Sequence, residues 1–304
     1  MMSHLINVIL LVLIFMPSSH VFATKLTKEI VLSEGHTMTV WHKQNVQNKA
    51  EKGVILLLHG RTWSALPDFD LQLAGEQLSV MDHLVDLGFD VWALDARGYG
   101  ATPRDATGWN NPDKAANDVA NIIKWLSHKT AQKPVLFGWS YGSMTAQLMV
   151  QKHPELTKAV ILYGYPIDPE KVIVKTPEFV KPLKAKNTAK NAASDFIVEG
   201  SISQQAIAAY VTASLQADPI RADWNFTEQW NQLSADKVKV PLLLIQAEHD
   251  PLADTEAHAR FFSKLPNANK QWIVLAGGDH AALLETPKFK LVQSVSDFVT
   301  WLDK

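Results

Sequence analysis

The sequence predicts an α/β fold built on a mostly parallel, eight-stranded sheet, with helices on both faces and a helical cap inserted above one edge. Short, continuous apolar runs of the kind that form fully buried strands recur along the chain, and helical patterns separate them. Strands and helices that alternate in this way form a parallel sheet covered on both sides. Residues 167–236 break the alternation, which places the cap there.

The predicted strands follow the chain in order. Residues 29–32 and 38–42 form an opening hairpin. Six apolar runs then predict buried parallel strands, at residues 53–60, 89–95, 134–140, 158–164, 240–248 and 271–277. These eight strands belong to a core domain that we predict at residues 24–166 and 237–304.

Helix patterns occupy the intervals between the strands. The first ends at Gly88, and the next two end shortly before Pro134 and Pro154, which are common helix stops. The predicted helices cover residues 77–87, 112–129, 141–153, 256–265 and 289–302.

The interruption at residues 167–236 is too long for a simple loop and too poor in apolar residues for an independent domain. It contains Lys-rich turns at residues 181–190 and a helix-like piece at residues 203–215. We therefore expect a helical cap that lies over the carboxyl edge of the sheet.

Composition excludes several classes of function. The 304 residues are 47% hydrophobic, which is enough for one large core or two modest ones. Lys and Arg number 29 against 31 Asp and Glu, with no run of five like charges, which argues against nucleic acid or an anionic membrane as the main partner. The chain has no cysteine, so a disulfide framework, a thiolate nucleophile and a Cys-ligated metal are all excluded.

The first 23 residues have the pattern of a cleaved export signal. Residues 5–15 form an apolar stretch shorter than the ~20 residues that a spanning helix needs. Val21 and Ala23 supply small residues for a cut after Ala23, although the segment lacks the usual Lys or Arg at its start. We expect secretion, to a bacterial periplasm or beyond, with no stable membrane insertion after cleavage. An uncleaved anchor is the alternative.

A serine lies at the junction of a predicted strand and a predicted helix, in the stretch Gly138-Trp139-Ser140-Tyr141-Gly142. A nucleophile on so tight a turn needs small residues two positions before and after it, and the helix N-terminus favours an anionic transition state. The five letters alone also fit an ordinary glycine-rich turn. Their position after a strand and before a helix favours a nucleophile at Ser140.

A serine hydroxyl needs a base, and the base needs an orienting acid. Asp250 follows a buried strand and is the best candidate acid, with Asp254 as the alternative. His280, just past the last strand, is the best candidate base. The order Ser140, Asp250, His280 is the chain order associated with serine nucleophiles on open α/β sheets.

An oxyanion hole is expected beside the serine. The first long strand ends at His59 and Gly60, so we assign one backbone N–H donor to Arg61, with Thr62 as the alternative. The second donor is the N–H of Tyr141. The Arg61 side chain either pairs with a carboxylate of the cap or meets an acidic group on the substrate.

A metal site is a weaker interpretation of the same region. Asp254 and His258 stand one helical turn apart, but no second His-rich element accompanies them. We therefore predict no metal and no cofactor.

These motifs together resemble the α/β-hydrolase superfamily from about residue 53 to residue 304. The resemblance lies in LLLHG, LDARGYGATPRD, GWSYG, IQAEHDPLAD and GGDHAALLETPKF. It implies a capped α/β-hydrolase fold in the serine-nucleophile branch, with Ser140, Asp250 and His280 as nucleophile, acid and base. Ser143 and Trp139 depart from many relatives, which have a glycine and a histidine at those positions.

Together with the predicted export signal, the resemblance leads us to expect an exported serine hydrolase that cleaves a carboxylic ester of a small molecule through an acyl-enzyme. The same residues would also serve a thioesterase, a lactonase, a serine aminopeptidase or an acyltransferase, and a binding protein that has lost the reaction is a further alternative. Aromatic residues near the motifs predict a pocket for an apolar or aromatic group. They are Trp63, Trp109 and Trp139, with Phe179, Phe196 and Trp224 of the cap.

Overall fold

The computed structural model describes residues 24–47, 50–175 and 181–304. The predicted export signal at residues 1–23 lies outside this part of the chain. Within it, no helix combines the length and the apolar character needed to cross a membrane.

Eight strands form one sheet, in the spatial order β1-β2-β4-β3-β5-β6-β7-β8. The hairpin strand β2 pairs antiparallel with both β1 and β4, and every other neighbouring pair is parallel. The mostly parallel, eight-stranded sheet is therefore confirmed. The strands are β1 (Thr24–Ser33), β2 (His36–Asn45), β3 (Val54–Leu58), β4 (Asp90–Asp95), β5 (Val135–Trp139), β6 (Ala159–Tyr163), β7 (Leu242–Ala247) and β8 (Lys270–Leu275).

Helices cover both faces of this sheet, and capping residues explain where two of them begin. The helix predicted from residue 77 begins at Val80, because the Ser79 side chain accepts the N–H of Asp82. Asn111 caps the next long helix in the same way, by accepting the N–H of Lys114. The helices are α1 (Ala65–Phe69), α2 (Val80–Asp86), α3 (Pro112–Thr130), α4 (Tyr141–Lys152), α5 (Ala189–Ala193), α6 (Gln204–Ala217), α7 (Thr255–Lys264) and α8 (Lys288–Leu302).

The core is divided by the sheet into two hydrophobic clusters. Side chains of a strand alternate between faces, so Ile55 and Leu57 of β3 enter one cluster while Leu56 enters the other. The first cluster includes α1, α2 and α8, and the second includes α3, α4 and α7. Burial on both faces explains why the central strands are continuous apolar runs.

The cap region contains α5, α6 and a short 3₁₀ helix at Thr227–Gln232. It contacts the loops that follow β3, β4 and β8. The Asp218 carboxylate accepts the backbone N–H groups of Ser64 and Gly100, and backbone N–H groups of the cap donate to Asp279. These loops extend from the carboxyl ends of the parallel strands, so the cap lies at the edge where the candidate residues were predicted.

Candidate active site

Ser140 lies in the sharp turn between β5 and α4, with φ 54° and ψ −120°. This backbone conformation is rare for a residue with a side chain. Both neighbouring glycines are required: a Cβ on Gly142 would lie 2.6 Å from the His59 carbonyl oxygen, and one on Gly138 would lie 2.6 Å from the Ser143 Cα. The turn can close on its neighbouring strand and helix only with glycine at these two positions.

Asp250 and His280 are in direct contact. His280 Nδ1 lies 2.8 Å from Asp250 Oδ2, and each residue is only 7% exposed. The other carboxylate oxygen of Asp250 accepts the N–H of Leu252. Asp254, the alternative acid, instead caps α7 by accepting the N–H of Ala257 at 2.8 Å. The structure therefore pairs His280 with Asp250.

Trp139 joins this pair to the serine turn. Its Nε1–H donates to the His280 carbonyl oxygen at 2.8 Å, and the two rings lie 5.3 Å apart, centroid to centroid. Trp139 immediately precedes Ser140 in the chain, so its side chain connects the loop of His280 to the serine turn. The three candidate residues are thereby brought to one edge of the sheet.

Gly164, just after β6, leaves room for the Asp250–His280 pair. A Cβ at this position would lie 3.1 Å from His280 Nδ1 and 3.2 Å from Asp250 Oδ2. Its φ of +57° is also a conformation that favours glycine. Gly164 was not predicted as a site residue, although a glycine directly after a buried strand was a signal for it.

His59 controls the loop that carries Arg61. Its Nδ1 lies 2.8 Å from the Gly60 carbonyl oxygen, and its Nε2 lies 3.1 Å from the Ala96 nitrogen. Burial lowers the pKa of His59 to about 4, so the ring is neutral near pH 7. Nδ1–H is then the donor and Nε2 the acceptor, which fixes the orientation of the peptide between Gly60 and Arg61.

The predicted oxyanion donors face no competing protein group. Among the described residues, the backbone N–H groups of Arg61 and Tyr141 donate to no protein acceptor. The Arg61 guanidinium carbon lies 5.1 Å from the centre of the Tyr141 ring, in a cation–π contact. Within the described chain the Arg61 side chain thus has an aromatic partner and forms no ion pair with a carboxylate.

The tryptophans predicted to form a pocket have different surroundings. Trp63 is 2% exposed and packs inside the first hydrophobic cluster, whereas Trp109 is half-buried. Trp139 packs against His280, as described above. Of the cap residues, Phe196 packs on Tyr210, and Phe179 lies outside the described residues.

A cleft of about 570 Å³ opens beside the serine turn. Tyr141 contributes one wall, and Leu252, two residues after Asp250, contributes another. The remaining walls come from the cap, from α4, from the segment after β6 and from the start of α7. The apolar residues that line the cleft include Met144, Ile167, Ile173 and Trp230.

The loop of His280 also anchors the cap. Asp279 Oδ2 accepts the N–H groups of Ile197 at 2.5 Å and Val198 at 2.8 Å. Glu285 accepts the Ser201 hydroxyl at 2.5 Å. Burial, with the neighbouring Asp279 carboxylate adding to it, raises the pKa of Glu285 to about 7. The cap segment at residues 197–201 is therefore anchored to the loop that carries the candidate base.

A cap carboxylate also lies within the electrostatic reach of His280. Burial raises the pKa of Asp195 to about 6, and the charge of His280 opposes that rise. Asp195 immediately precedes the segment that Asp279 anchors.

The two residues considered as metal ligands have other partners. Asp254 caps α7, and His258 Nε2 lies 2.8 Å from the Tyr165 carbonyl oxygen. In the parts of the chain that the structure describes, no group of three or more His, Asp or Glu side chains is arranged to hold a metal ion.

Tyr163 is a site residue that sequence reasoning missed. Its hydroxyl lies 2.9 Å from the Asp279 carbonyl oxygen and 3.1 Å from that of His280. The tyrosine ends an otherwise aliphatic strand, β6, at the edge where the other candidates gather. A polar aromatic residue at a strand end was the available signal, but its partners are more than one hundred residues away.

A serine held in a strained turn between a central parallel strand and a helix, with an Asp–His pair at the same edge, defines the α/β-hydrolase class of serine hydrolases. The model of the family described as serine aminopeptidase, S33 matches residues 49–287. The protein belongs to this family and is a serine hydrolase.

Individual relatives agree with this assignment. Over 288 residues the chain is 25% identical to a monoglyceride lipase of Saccharomyces cerevisiae, covering 87% of this chain and 88% of the yeast protein. A thermophilic esterase from Thermogutta terrifontis superimposes with a TM-score of 0.65 at 16% identity, covering 92% of this chain and all of the esterase (100%). A monoacylglycerol lipase from Paleococcus ferrophilus superimposes with a TM-score of 0.57 at 17% identity, covering 84% of this chain and 96% of the lipase. The two structures support the fold.

Proposed function

We propose that this serine hydrolase cleaves carboxylic esters through an acyl-enzyme, with Ser140 as nucleophile, His280 as base and Asp250 as the acid that orients the base. The observation that carries the proposal is the 2.8 Å contact between His280 Nδ1 and Asp250 Oδ2. A carboxylate on Nδ1 leaves Nε2 as the basic nitrogen of the ring. The anchoring of His280 by Trp139 supports the assignment of Ser140 as its partner.

The proposed reaction has two halves. His280 Nε2 takes the Ser140 proton as Oγ attacks the ester carbonyl, and the N–H groups of Arg61 and Tyr141 stabilise the oxyanion. Collapse of this intermediate transfers the proton from His280 to the departing alcohol. Water, deprotonated by His280, then attacks the acyl-enzyme carbonyl. As the C–Oγ bond breaks, His280 returns that proton to Ser140 Oγ, and the carboxylic acid is released.

A small substrate with an apolar or aromatic part is the proposed class. The apolar lining of the cleft beside Tyr141 and Leu252 supports it. The similarity to a yeast protein named monoglyceride lipase, a name that denotes an ester substrate, also supports an ester over an amide.

Aminoacyl compounds are a second candidate class. The family is described as serine aminopeptidase, and the Asp195 carboxylate that interacts with His280 would attract a protonated α-amino group. Comparing p-nitrophenyl butyrate with aminoacyl p-nitroanilides separates the two classes. If the anilides react faster, and if Asp195→Asn slows only them, the aminoacyl class replaces the ester class.

Labelling with a fluorophosphonate, which reacts with activated serines, tests the proposed nucleophile. We expect Ser140→Ala to abolish labelling and to lower kcat on p-nitrophenyl butyrate by at least ~10³-fold. Ser263→Ala is the matched control, because this exposed hydroxyl on α7 donates only to the Arg260 carbonyl oxygen. Hydrolysis that persists in Ser140→Ala would rule out the mechanism.

We further propose that the chain is exported and that residues 1–23 are removed. The apolar stretch at residues 5–15 and the small residues at Val21 and Ala23 support this.

A further inference from the structure

Four residues around the proposed oxyanion hole form a closed ring of contacts, which we call the aromatic circuit: Trp224 of the cap, Tyr99, Arg61 and Tyr141. The Trp224 Nε1–H donates to the Tyr99 hydroxyl at 2.8 Å, and that hydroxyl donates to the Arg61 carbonyl oxygen. The Arg61 guanidinium lies on the Tyr141 ring, and the Tyr141 ring meets the Trp224 ring edge-on at 5.3 Å. Both residues that supply an oxyanion N–H are thus joined to one tryptophan of the cap.

Chemistry fixes the direction of the two hydrogen bonds in the circuit. An indole N–H can only donate and a carbonyl oxygen can only accept, so the Tyr99 hydroxyl must accept from Trp224 and donate to Arg61. Tyr99 is 1% exposed. Burial raises the pKa of its hydroxyl well above the ordinary range, so the proton that Arg61 accepts stays in place.

The backbone around Tyr99 brings its hydroxyl to this position. Gly98 and Gly100 have φ of +80° and +50°, which turns the chain sharply on both sides of Tyr99. A Cβ on Gly100 would lie 2.9 Å from the Ser64 Cβ. The turn after β4 therefore packs against the loop after β3, and Tyr99 reaches across that contact to Arg61.

The carbonyl groups on both sides of the Arg61 N–H are held. The Gly60 carbonyl accepts from His59, and the Arg61 carbonyl accepts from Tyr99. Each peptide unit is planar, so the Gly60 carbonyl sets the plane of the Arg61 N–H, and the Arg61 carbonyl sets the plane of the following peptide unit. Holding both planes fixes the backbone on either side of the Arg61 Cα, so release of the second bond lets the first peptide unit shift. Tyr99 is in turn held by a residue of the cap.

We propose that Tyr99 is a positioning residue that aligns the Arg61 N–H with the oxyanion, and that Trp224 makes this alignment depend on the seating of the cap. The proposal rests on the proposed function, because it takes Arg61 as an oxyanion donor. An oxyanion donor stabilises the transition state more than the bound ester. Disturbing its direction therefore lowers kcat and leaves KM nearly unchanged.

Tyr99→Phe tests this, because it removes both hydrogen bonds and keeps the ring. We expect kcat on p-nitrophenyl butyrate to fall by about 10- to 100-fold, with KM within about threefold of wild type. Phenylboronic acid, which forms a tetrahedral adduct with an active-site serine, supplies a second readout. Its inhibition constant is expected to rise roughly as much as kcat/KM falls, a change that a purely structural role of Tyr99 would not produce.

Tyr210→Phe is the matched control. Its buried hydroxyl also connects the cap to the body, by donating to Asp68 at 2.9 Å, but it does not contact Arg61. We expect this variant to keep kcat within about twofold. An equal loss of kcat in Tyr210→Phe would overturn the proposal by showing that any loosening of the cap has this effect.

Trp224→Phe is the second test variant, and it serves also if Tyr99→Phe does not fold. It removes the donor to Tyr99 but leaves the Tyr99–Arg61 bond, so a smaller loss of kcat with a parallel rise in the boronate constant is expected. If the folded variants Tyr99→Phe and Trp224→Phe kept the wild-type kcat and boronate inhibition constant, the proposal would be overturned. Ser140→Ala, measured in parallel, separates the two proposals: if it stays active, the proposed function fails, whereas unaffected circuit variants with an inactive Ser140→Ala refute only the role of Tyr99.

Discussion

Ser140 adopts a backbone conformation that costs on the order of 1–3 kcal/mol for a residue with a side chain. Hydrogen bonds on both sides offset this cost. The Ser140 N–H donates to the Tyr163 carbonyl at 2.9 Å, and the Ser140 carbonyl accepts the N–H of Ser143 at 2.9 Å. The strained turn is therefore held by β6 on one side and by the first turn of α4 on the other.

Gly142→Ala is the sharpest test of this turn. The added methyl group would collide with the carbonyl oxygen of His59 and push α4 away from β3. We expect the free energy of unfolding to fall by about 1–3 kcal/mol in urea titrations, and fluorophosphonate labelling to be lost. Gly35→Ala is the control for backbone strain without a collision, because its φ of +78° is unfavourable for alanine but the space around it is open, whereas Gly142 is helical and its added Cβ collides. We expect Gly35→Ala to label normally. Normal labelling of Gly142→Ala would show that the turn tolerates a side chain.

At the scale of single residues, the sequence predicts the role of a residue when that role depends on residues nearby in the chain or on the adjacent strand. The two glycines around Ser140 are required by atoms of the same turn and of the adjacent strand, so the motif and its strand–helix context are sufficient to recognise them. The role of Trp139 is different. Its N–H binds the carbonyl of His280, a contact 141 positions away that no local pattern reveals. That its ring forms a wall of the pocket stays a prediction.

Among the elements, the loop after β8 has two tasks: it carries His280 and it holds the cap segment that includes Ile197, Val198 and Ser201. Both anchoring carboxylates, Asp279 and Glu285, are fully buried. Two carboxylates held this close together cannot both ionise without cost. The attachment of the cap is therefore expected to depend on pH.

Glu285→Gln tests that dependence. The pKa of Glu285 is raised from 4.5 to about 7 in the folded chain, so the folded chain binds more protons than the unfolded chain between these values. The stabilising contribution of this carboxyl is complete below pH 4.5 and is lost as the pH rises through 7. Glutamine cannot ionise and does not lose this contribution. We therefore expect the free energy of unfolding of the variant, relative to that of wild type, to increase from pH 5 to pH 8 in urea titrations.

Glu199→Gln, on the exposed surface of the cap, is the control. Its free energy of unfolding should differ from that of wild type by the same amount at pH 5 and at pH 8. A stability difference for Glu285→Gln that is the same at pH 5 and pH 8 would contradict a raised pKa in the folded chain.

The elements themselves were predictable where their signals are local. Long apolar runs and capping residues identify the strands and most helices. Helix α2 begins at Val80 rather than at the predicted residue 77, because Ser79 caps it. Helix α1 was not predicted. It has five residues, its N-cap Ser64 makes no side-chain capping bond, and it is held by tertiary contacts such as that of Asp68 with Tyr210. Such contacts become visible only when the cap is in place.

For the whole molecule, the separation of the core into two clusters explains why the fold class could be predicted. A sheet covered on both faces needs strands that are apolar at every position, and this pattern survives in the sequence regardless of strand order. The order β1-β2-β4-β3-β5-β6-β7-β8 is a property of the assembled sheet. No single strand encodes which neighbours it has.

N-terminal sequencing of the protein exported from a bacterial host tests the proposed signal. We expect the mature chain to begin at Thr24, with the sequence TKLTKE, which would leave all of β1 intact. Thr24 donates to the Asp82 side chain at 2.9 Å, so the first residue of the mature chain would still contact α2. Replacing Ala23 with a bulky residue, Ala23→Phe, should block processing. An exported chain that retains residues 1–23 would indicate an anchor.

The attachment of the cap has a consequence for protein engineering. The cap of this enzyme is not an interchangeable module, because it supplies Trp224 to the aromatic circuit and backbone N–H groups to Asp279. A chimaera that carries a foreign cap would receive new walls for the cleft but would lose partners of Tyr99 and of the His280 loop. We expect a different result from grafts that retain residues 195–201 and Trp224 and exchange only the walls of the cleft. These chimaeras should have an altered substrate specificity and should keep their catalytic activity.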